Sequence, residues 1–468
     1  MAFAMKFSLS LAAAGALAVT GCASDARPND LCEVPPPRQA GGALPIGQAW
    51  SGTIVPFGSA MSSDGRLVAA YYDAERYLTL ATYDPEAERL CHKRLASRFA
   101  GWDAHNALTV AIDDAGIVHI AGNMHASPLV YARGPLDDLD AVRLQPMLGR
   151  NEASATYPQF MHDDAGHLLF LYRDGMSGNG SWLLNTWNDG KWQRIGQLFA
   201  DRDAEGPVNA YPTAFVKDGA GRFHVAVIWR RTPDVATNFA LTYASTRDFR
   251  VWDVGGRRVN GPLSPETMEM VDAPGVQHGL VNNALLQISR SGKPVLLYTK
   301  FVDGQKSGVV AANRMNGAWR EQTIVVGKTA VQVSGGGSMP GLPVFRFGET
   351  RDNGDMHVSA VIAGDQTELL LNPDTLKAKP WRSDVGPNGN SAPVKPVTKV
   401  SLEIPQGMDN ATIRKVQVRQ NGMDGPIEGE LRWFAQGVNQ DRPHACTKQA
   451  PVACKPPASP LLWVPAAE

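Results

Sequence analysis

The sequence predicts an all-β chain folded as a single β-propeller of seven blades, six of them clear in the repeat. Gly (46) and Pro (33) are plentiful among 468 residues and long amphipathic helical stretches are scarce, which favours many short strands joined by turns. One unit also recurs: an apolar strand, a tight turn, and a second apolar strand. The turns are Ser63-Asp64-Gly65, Asp114-Ala115-Gly116, Asp164-Ala165-Gly166, Gly219-Ala220-Gly221, Arg290-Ser291-Gly292 and Asn353-Gly354-Asp355. Their marker glycines are 51, 50, 55, 71 and 62 residues apart, and periods near 50 with several strands each are those of propeller blades. A blade cannot bury both its faces alone, so the units belong to one domain.

Residues 1–22 read as a lipoprotein signal peptide. Lys6 supplies its positive end, and Phe7 to Val19 is an apolar core too short to span a membrane as a stable helix. Val19-Thr20-Gly21-Cys22 has the form of a lipobox, which predicts lipid on Cys22 and a membrane anchor rather than a span. Ala23-Ser24 follow without an aspartate, favouring the outer membrane of a Gram-negative envelope. Residues 23–44 are rich in Pro, Gly and Ala and read as a tether; residues 45–468 are assigned to the propeller. Four further cysteines in an oxidising compartment allow three pairings, of which Cys32–Cys91 and Cys446–Cys454 are favoured; the spacing with His444 fits no standard zinc knuckle.

Strands follow each turn, from Leu67-Val68-Ala69-Ala70-Tyr71 in the first unit to Met356-His357-Val358-Ser359-Ala360 in the sixth. Lys399 to Gly437 has strand-like segments for a seventh, with an N-terminal strand closing the ring. Lys and Arg (45) balance Asp and Glu (46), so neither a nucleic-acid partner nor a polybasic membrane surface is indicated, and a monomer is expected.

Polar residues fall at regular places in this repeat. Before the turn glycines stand His105, Tyr157, Tyr211 and Asn282, at 11, 9, 10 and 10 residues. After them stand His125, Arg173, Arg230 and Lys300, at 9, 7, 9 and 8 residues. The strands of a hairpin are antiparallel, so residues equally far before and after the turn lie at the same end. Units two to five therefore bring these groups to one mouth of the channel, whereas the first and sixth units offer Val55, Asp73, Val344 and Ile362. His119, His224 and His357 each follow the turn glycine by only three residues, at the opposite end, and Gly335-Gly336-Gly337 lacks the context of a phosphate cradle.

The same residues carry a resemblance. Asp103-x-His105-Asn106, Gly122-Asn123-Met124-His125, Tyr157-Pro158-x-Phe160, Arg173-Asp174-Gly175-x-Ser177-Gly178-Asn179-Gly180, Trp229-Arg230-x-Thr232 and Tyr243-Ala244-Ser245-x-Arg247-Asp248 resemble the BNR-repeat-containing propeller family over roughly residues 50–300. That family includes polysaccharide lyases of the ulvan-lyase and rhamnosyl-glucuronate kinds, and a branch of α-L-rhamnosidases. The resemblance implies catalytic roles for His105 or His125, Tyr157 and Arg173, and places Tyr211 and Arg230 in the pocket. One departure stands out: Asn238-Phe239-Ala240 replaces the Asn-His-Asp of many relatives. Thr246 to Trp252 also resembles a degraded sialidase Asp-box, with Arg250 in place of glycine, which weakens a sialidase reading.

β-Elimination from a uronate removes the C5 proton and expels the C4 oxygen. A cation must stabilise the charge that builds on the carboxylate, for which Arg173 is the candidate with Arg230 assisting. A neutral histidine suits the base, and Tyr157 can protonate the leaving oxygen, its otherwise high pKa expected to be lowered by a neighbouring arginine. Asn282 and Lys300 join Tyr211 and Arg230 as candidate substrate contacts. No metal or organic cofactor is called for, and the implied ligand is an acidic polysaccharide or oligosaccharide. The set is poor in the paired carboxylates that glycoside hydrolysis uses, which leaves hydrolysis and non-catalytic glycan binding as the alternatives.

Overall fold

A computed structural model describes residues 30–336, 341–381, 404–408, 411–422, 425–436 and 455–466. Cys22, Cys446, Cys454 and the predicted signal segment lie outside the described residues.

The described residues form an all-β propeller. Seven antiparallel sheets of four or more strands succeed one another, with a small two-stranded ribbon at Arg202–Asp203 and Gly206–Pro207. Six sheets are continuous in sequence apart from one added edge strand, and their innermost strands are Gly58–Met61, Leu108–Ile112, Ala155–His162, Asn209–Pro212, Leu285–Ile288 and Val344–Thr350. The turns between first and second strands are those expected. In the second, third and fourth sheets the same pair of backbone bonds closes the turn, and an aspartate (Asp113, Asp163, Asp218) accepts two N–H groups within it. Such Asx geometry is why Asp and Gly recur there.

The seventh sheet is composite. Its order is Leu44–Trp50, Ala458–Pro465, Ile427–Ala435, Thr412–Arg419, so a strand from near the N-terminus closes against three from the C-terminal region. Its inner strand packs against Gly58–Met61 of the first sheet, and Met61 bridges Gln420. The N-terminal closing strand and the strands Thr412–Arg419 and Ile427–Ala435 match expectation; Ala458–Pro465, which lies between the closing strand and Ile427–Ala435 in the sheet, was not foreseen.

Asp30–Glu33, within the stretch expected to be a tether, adds a fifth strand to the outer edge of the first sheet. Cys32 there faces Cys91 and is disulfide-bonded to it. The Asp-box-like stretch is a peripheral turn: Asp248 accepts the N–H groups of Arg250 and Val251, and Trp252 is buried.

The core lies between successive sheets. Alternating strand faces bury Leu169, Leu171, Trp182 and Leu184 against Val225, Val227 and Trp229, which locks the third sheet to the fourth. This packing fixes where the neighbouring hairpins end, and hence the positions of the polar groups there.

Candidate functional site

At the end of the hairpins away from the turns, the second to fifth sheets enclose a cavity of about 390 Å3. Its wall includes His105, His125, Tyr157, Arg173, Tyr211, Arg230 and Asn282. Seven of the eight residues singled out from the repeat thus meet around one space.

His105 lies in the loop before Leu108–Ile112, a loop tied down by the Tyr72 hydroxyl donating to Asn106 O at 2.6 Å. His125 follows Ile117–Gly122 between two positive-φ residues, Asn123 and Ala126. Its loop is tied to the third sheet by Ala126 N–H donating to Thr156 Oγ1 at 2.8 Å. The two imidazoles stack with centroids 4.0 Å apart. Both present Nδ1 to one carboxylate: His105 to Asp103 Oδ1 at 2.7 Å and His125 to Asp103 Oδ2 at 2.5 Å. Burial pushes the Asp103 carboxyl up, but the hydrogen bonds from His105 and His125 outweigh it and hold it well below the usual carboxylate range.

Tyr157 interrupts its strand. The pairing with Leu168–Met176 shifts register between Thr156 and Gln159, and Tyr157 has φ +57°. A non-glycine residue there costs of order 1–3 kcal/mol, so the bulge that turns this ring into the cavity is held by its surroundings. The ring stacks on Trp182 at 5.8 Å and meets the edge of His105 at 5.7 Å. Burial raises the phenol pKa, and the nearby Arg173 charge only partly opposes it. The sequence had suggested a phenol lowered by arginine; the desolvation of a largely buried ring reverses that direction.

Arg173 is 3% exposed and Arg230 4%. Arg173 lies over the Tyr157 ring at 4.9 Å, its Nη2 reaches only Thr156 Oγ1 at 3.5 Å, and its buried Nε has no acceptor among the described residues. Gly180 leaves room for it, since a Cβ there would stand 2.8 Å from Arg173 Cδ. The adjacent Asp174 receives Asn151 instead. Arg230 donates to Asn238 Oδ1 and Asn282 Oδ1, both at 2.7 Å, and to the Tyr211 hydroxyl at 3.0 Å. Burial lowers its pKa. Neither guanidinium has a carboxylate within ion-pair distance among the described residues.

Lys300 does not join this group. Its ammonium is held by Asp272 and Glu321, each at 2.7 Å, beside Tyr298. Strand parity explains the difference. Equivalent turns join the strands of the three hairpins, and Arg173 and Arg230 stand at odd offsets from their glycines while Lys300 stands at an even one. The matching offsets in the fifth sheet fall on Thr299 and Phe301.

The cavity also uses Ser177, Pro233, Asp234, Val235, Gly335 and Gly336. Asp234 is engaged by the N–H groups of Ala236 and Gly335 at 2.9 and 2.6 Å. Asp103 was visible in the Asp-x-His motif but was given no role. Among the described residues Asp103, His105 and His125 also form the set whose donor atoms, within 4.8 Å of one another, could hold a metal ion. Hydrogen bonds already engage both Nδ1 atoms and both carboxylate oxygens.

Fold and site together define an all-β propeller with a cationic, imidazole-bearing cleft at one end. Residues 68–326, more than half of the chain, match the BNR repeat-containing family, and the chain belongs to it. No curated protein matches. Among solved structures, the chain is similar to the polysaccharide lyase Uly1, with TM-score 0.51 and 14% identity over 90% of this chain and 92% of that one. It is similar also to a PL25 ulvan lyase bound to -[GlcA(1-4)Rha3S]-, with TM-score 0.54 and 12% identity over 85% of this chain and 93% of that one. At these identities the likeness is one of fold.

Proposed function

We propose that the protein is a polysaccharide lyase that cleaves a uronate-containing glycan by β-elimination. One observation carries this reading: Arg173 and Arg230 are buried at the cavity wall, with no carboxylate among the described residues to neutralise them. An unpaired buried cation is costly, and an anionic ligand is the partner that offsets the cost. A uronate carboxylate, planar and bidentate, suits a guanidinium. The ulvan lyase to which the fold is similar was solved with a glucuronate-containing oligosaccharide, which supports the same class of substrate.

With the carboxylate held by arginine, the C5 proton becomes acidic enough for a histidine to remove. A ring that gives Nδ1–H to Asp103 keeps the lone pair on Nε2 for that proton. The C5–H electron pair forms the C4=C5 double bond as the C4–O bond breaks. Tyr157, kept protonated by burial, gives its proton to the departing oxygen. Hydrolysis is less well supported, because Asp234 at the cavity wall is engaged by backbone N–H groups and Asp103 is engaged by the two lining histidines.

The test is a panel of uronate-containing polysaccharides followed by ultraviolet absorbance of the unsaturated product. Elimination gives the signal, hydrolysis gives reducing ends without it, and a binding protein gives neither. We further propose attachment to the cell envelope through lipid on Cys22. Cys22→Ser should then release the protein from membranes or block its processing, and equal solubility of both forms would refute the anchor.

A further inference from the structure

We infer that Asp103 is the positioning residue of the site, fixing both His105 and His125 in the tautomer that leaves Nε2 free. The inference rests on the lyase reading for its consequence in turnover, but its geometric part stands alone.

An ionised carboxylate only accepts hydrogen bonds. Each oxygen of Asp103 meets one imidazole Nδ1, so both rings must carry their proton on Nδ1. The carboxylate cannot swing to favour one ring, because Oδ1 also accepts the backbone N–H of His105 at 2.8 Å. The loop bearing His125 is held from the other side by Thr156. One side chain therefore sets two rings that flank the same hairpin, one before its first strand and one after its second, and it keeps their stacking at 4.0 Å. In free histidine the opposite tautomer is preferred, so the arrangement requires the carboxylate. Among the described residues the other charged and titratable groups at the cavity, Tyr157, Tyr211, Arg173, Arg230 and Asp234, bond to neither Nδ1, which leaves Asp103 as the orienting group.

Asp103→Asn separates the two rings. The amide oxygen can keep the His105 bonds, while the amide NH2 then faces His125 as a donor. His125 must accept through Nδ1 and move its proton to Nε2. Asp103→Ala releases both rings. Nitrogen-15 spectra of the imidazoles, taken where both are neutral, should show Nδ1–H for both rings in the wild type. They should show a switch of His125 alone in Asp103→Asn, and Nε2–H for both in Asp103→Ala. On a substrate the wild type cleaves, kcat should fall by about 10²–10⁴-fold in Asp103→Ala with KM changed little, and Asp103→Glu should recover part of it. Melting temperatures confirm that each variant is folded, and the spectra of Asp103→Glu serve if Asp103→Ala is not.

A wild-type spectrum with Nε2–H on either ring overturns the inference, as does an Asp103→Ala kcat within about twofold of wild type. If the tautomers switch as described and no uronate glycan is cleaved by the wild type, the lyase reading fails and the positioning role remains.

Discussion

The cavity sets unusual demands on single side chains. Tyr157 occupies a left-handed backbone position, its hydroxyl is pushed toward the protonated form, and it is packed between Trp182 and His105. Tyr157→Phe removes the hydroxyl and leaves that packing, so turnover should drop by about 10²–10⁴-fold while oligosaccharide affinity changes little. Because burial raises the phenol pKa, the alkaline limb of the wild-type kcat profile should lie above about pH 10. Arg173→Lys keeps the charge but loses the planar fork, and should lower kcat/KM; full activity in both variants would exclude the mechanism. Distance from the turn glycine was enough to find seven of the cavity residues in the sequence, because antiparallel pairing converts offset into height along the hairpin. It misplaced Lys300 because offset alone ignores which face a strand residue points to. It passed over Asp103 because that residue lies in a loop and becomes informative only when His125, from the far strand, meets it.

Individual sheets carry a second repeated device, at the turn end. In the second sheet Asp113 accepts two turn N–H groups and faces His119 Nε2 at 3.4 Å, while His119 Nδ1 meets the Tyr131 hydroxyl at 2.8 Å. The fourth sheet repeats it with Asp218, His224 and Tyr243. A neutral imidazole satisfies both neighbours, giving Nε2–H to the carboxylate and accepting the phenol at Nδ1. The sequence separated these histidines from the cavity by their closeness to the turn, but the staple across three strands needed the tyrosines to be brought alongside. Burial lowers the pKa of His119 and His224 against the pull of their aspartates. Their folded values lie below the unfolded ones, so their contribution is complete above about pH 6.5 and is lost as the pH falls toward the folded values. The melting temperature should therefore decline between about pH 7 and about pH 5. A His119→Gln, His224→Gln double variant should melt lower at neutral pH, with about 1–3 kcal/mol lost per broken network, and show a flatter decline. An unchanged slope in that variant would locate the acid sensitivity elsewhere.

Closure of the whole molecule depends on distant parts of the chain meeting in one sheet. The regular turns made six sheets legible, since each is built from one stretch of sequence. The seventh was only partly so, because it draws strands from opposite ends and no local period announces Ala458–Pro465. That strand sits between Leu44–Trp50 and Ile427–Ala435 and pairs with both. It buries Leu461, Leu462 and Val464, at about 1.5–3 kcal/mol for each large apolar side chain. The Cys32–Cys91 disulfide helps from outside. Its loop of separation 59 contains the closing strand Leu44–Trp50, and the chain-entropy model gives the crosslink at most about 4 kcal/mol. Removing the disulfide by Cys32→Ser with Cys91→Ser should lower the melting temperature but leave one cooperative transition. Ending the chain before residue 456 is a different injury: Leu44–Trp50 loses Ala458–Pro465, the one strand of its sheet with which it pairs among the described residues, and so its place in the seventh sheet. The lost burial rivals the whole stability of a typical domain, about 5–15 kcal/mol. The truncated chain should therefore lose its cooperative transition in denaturant and its affinity for acidic oligosaccharide, although every cavity residue named above is still present. A truncated chain that unfolds in one sharp transition and still binds would show that the ring does not need this strand to close.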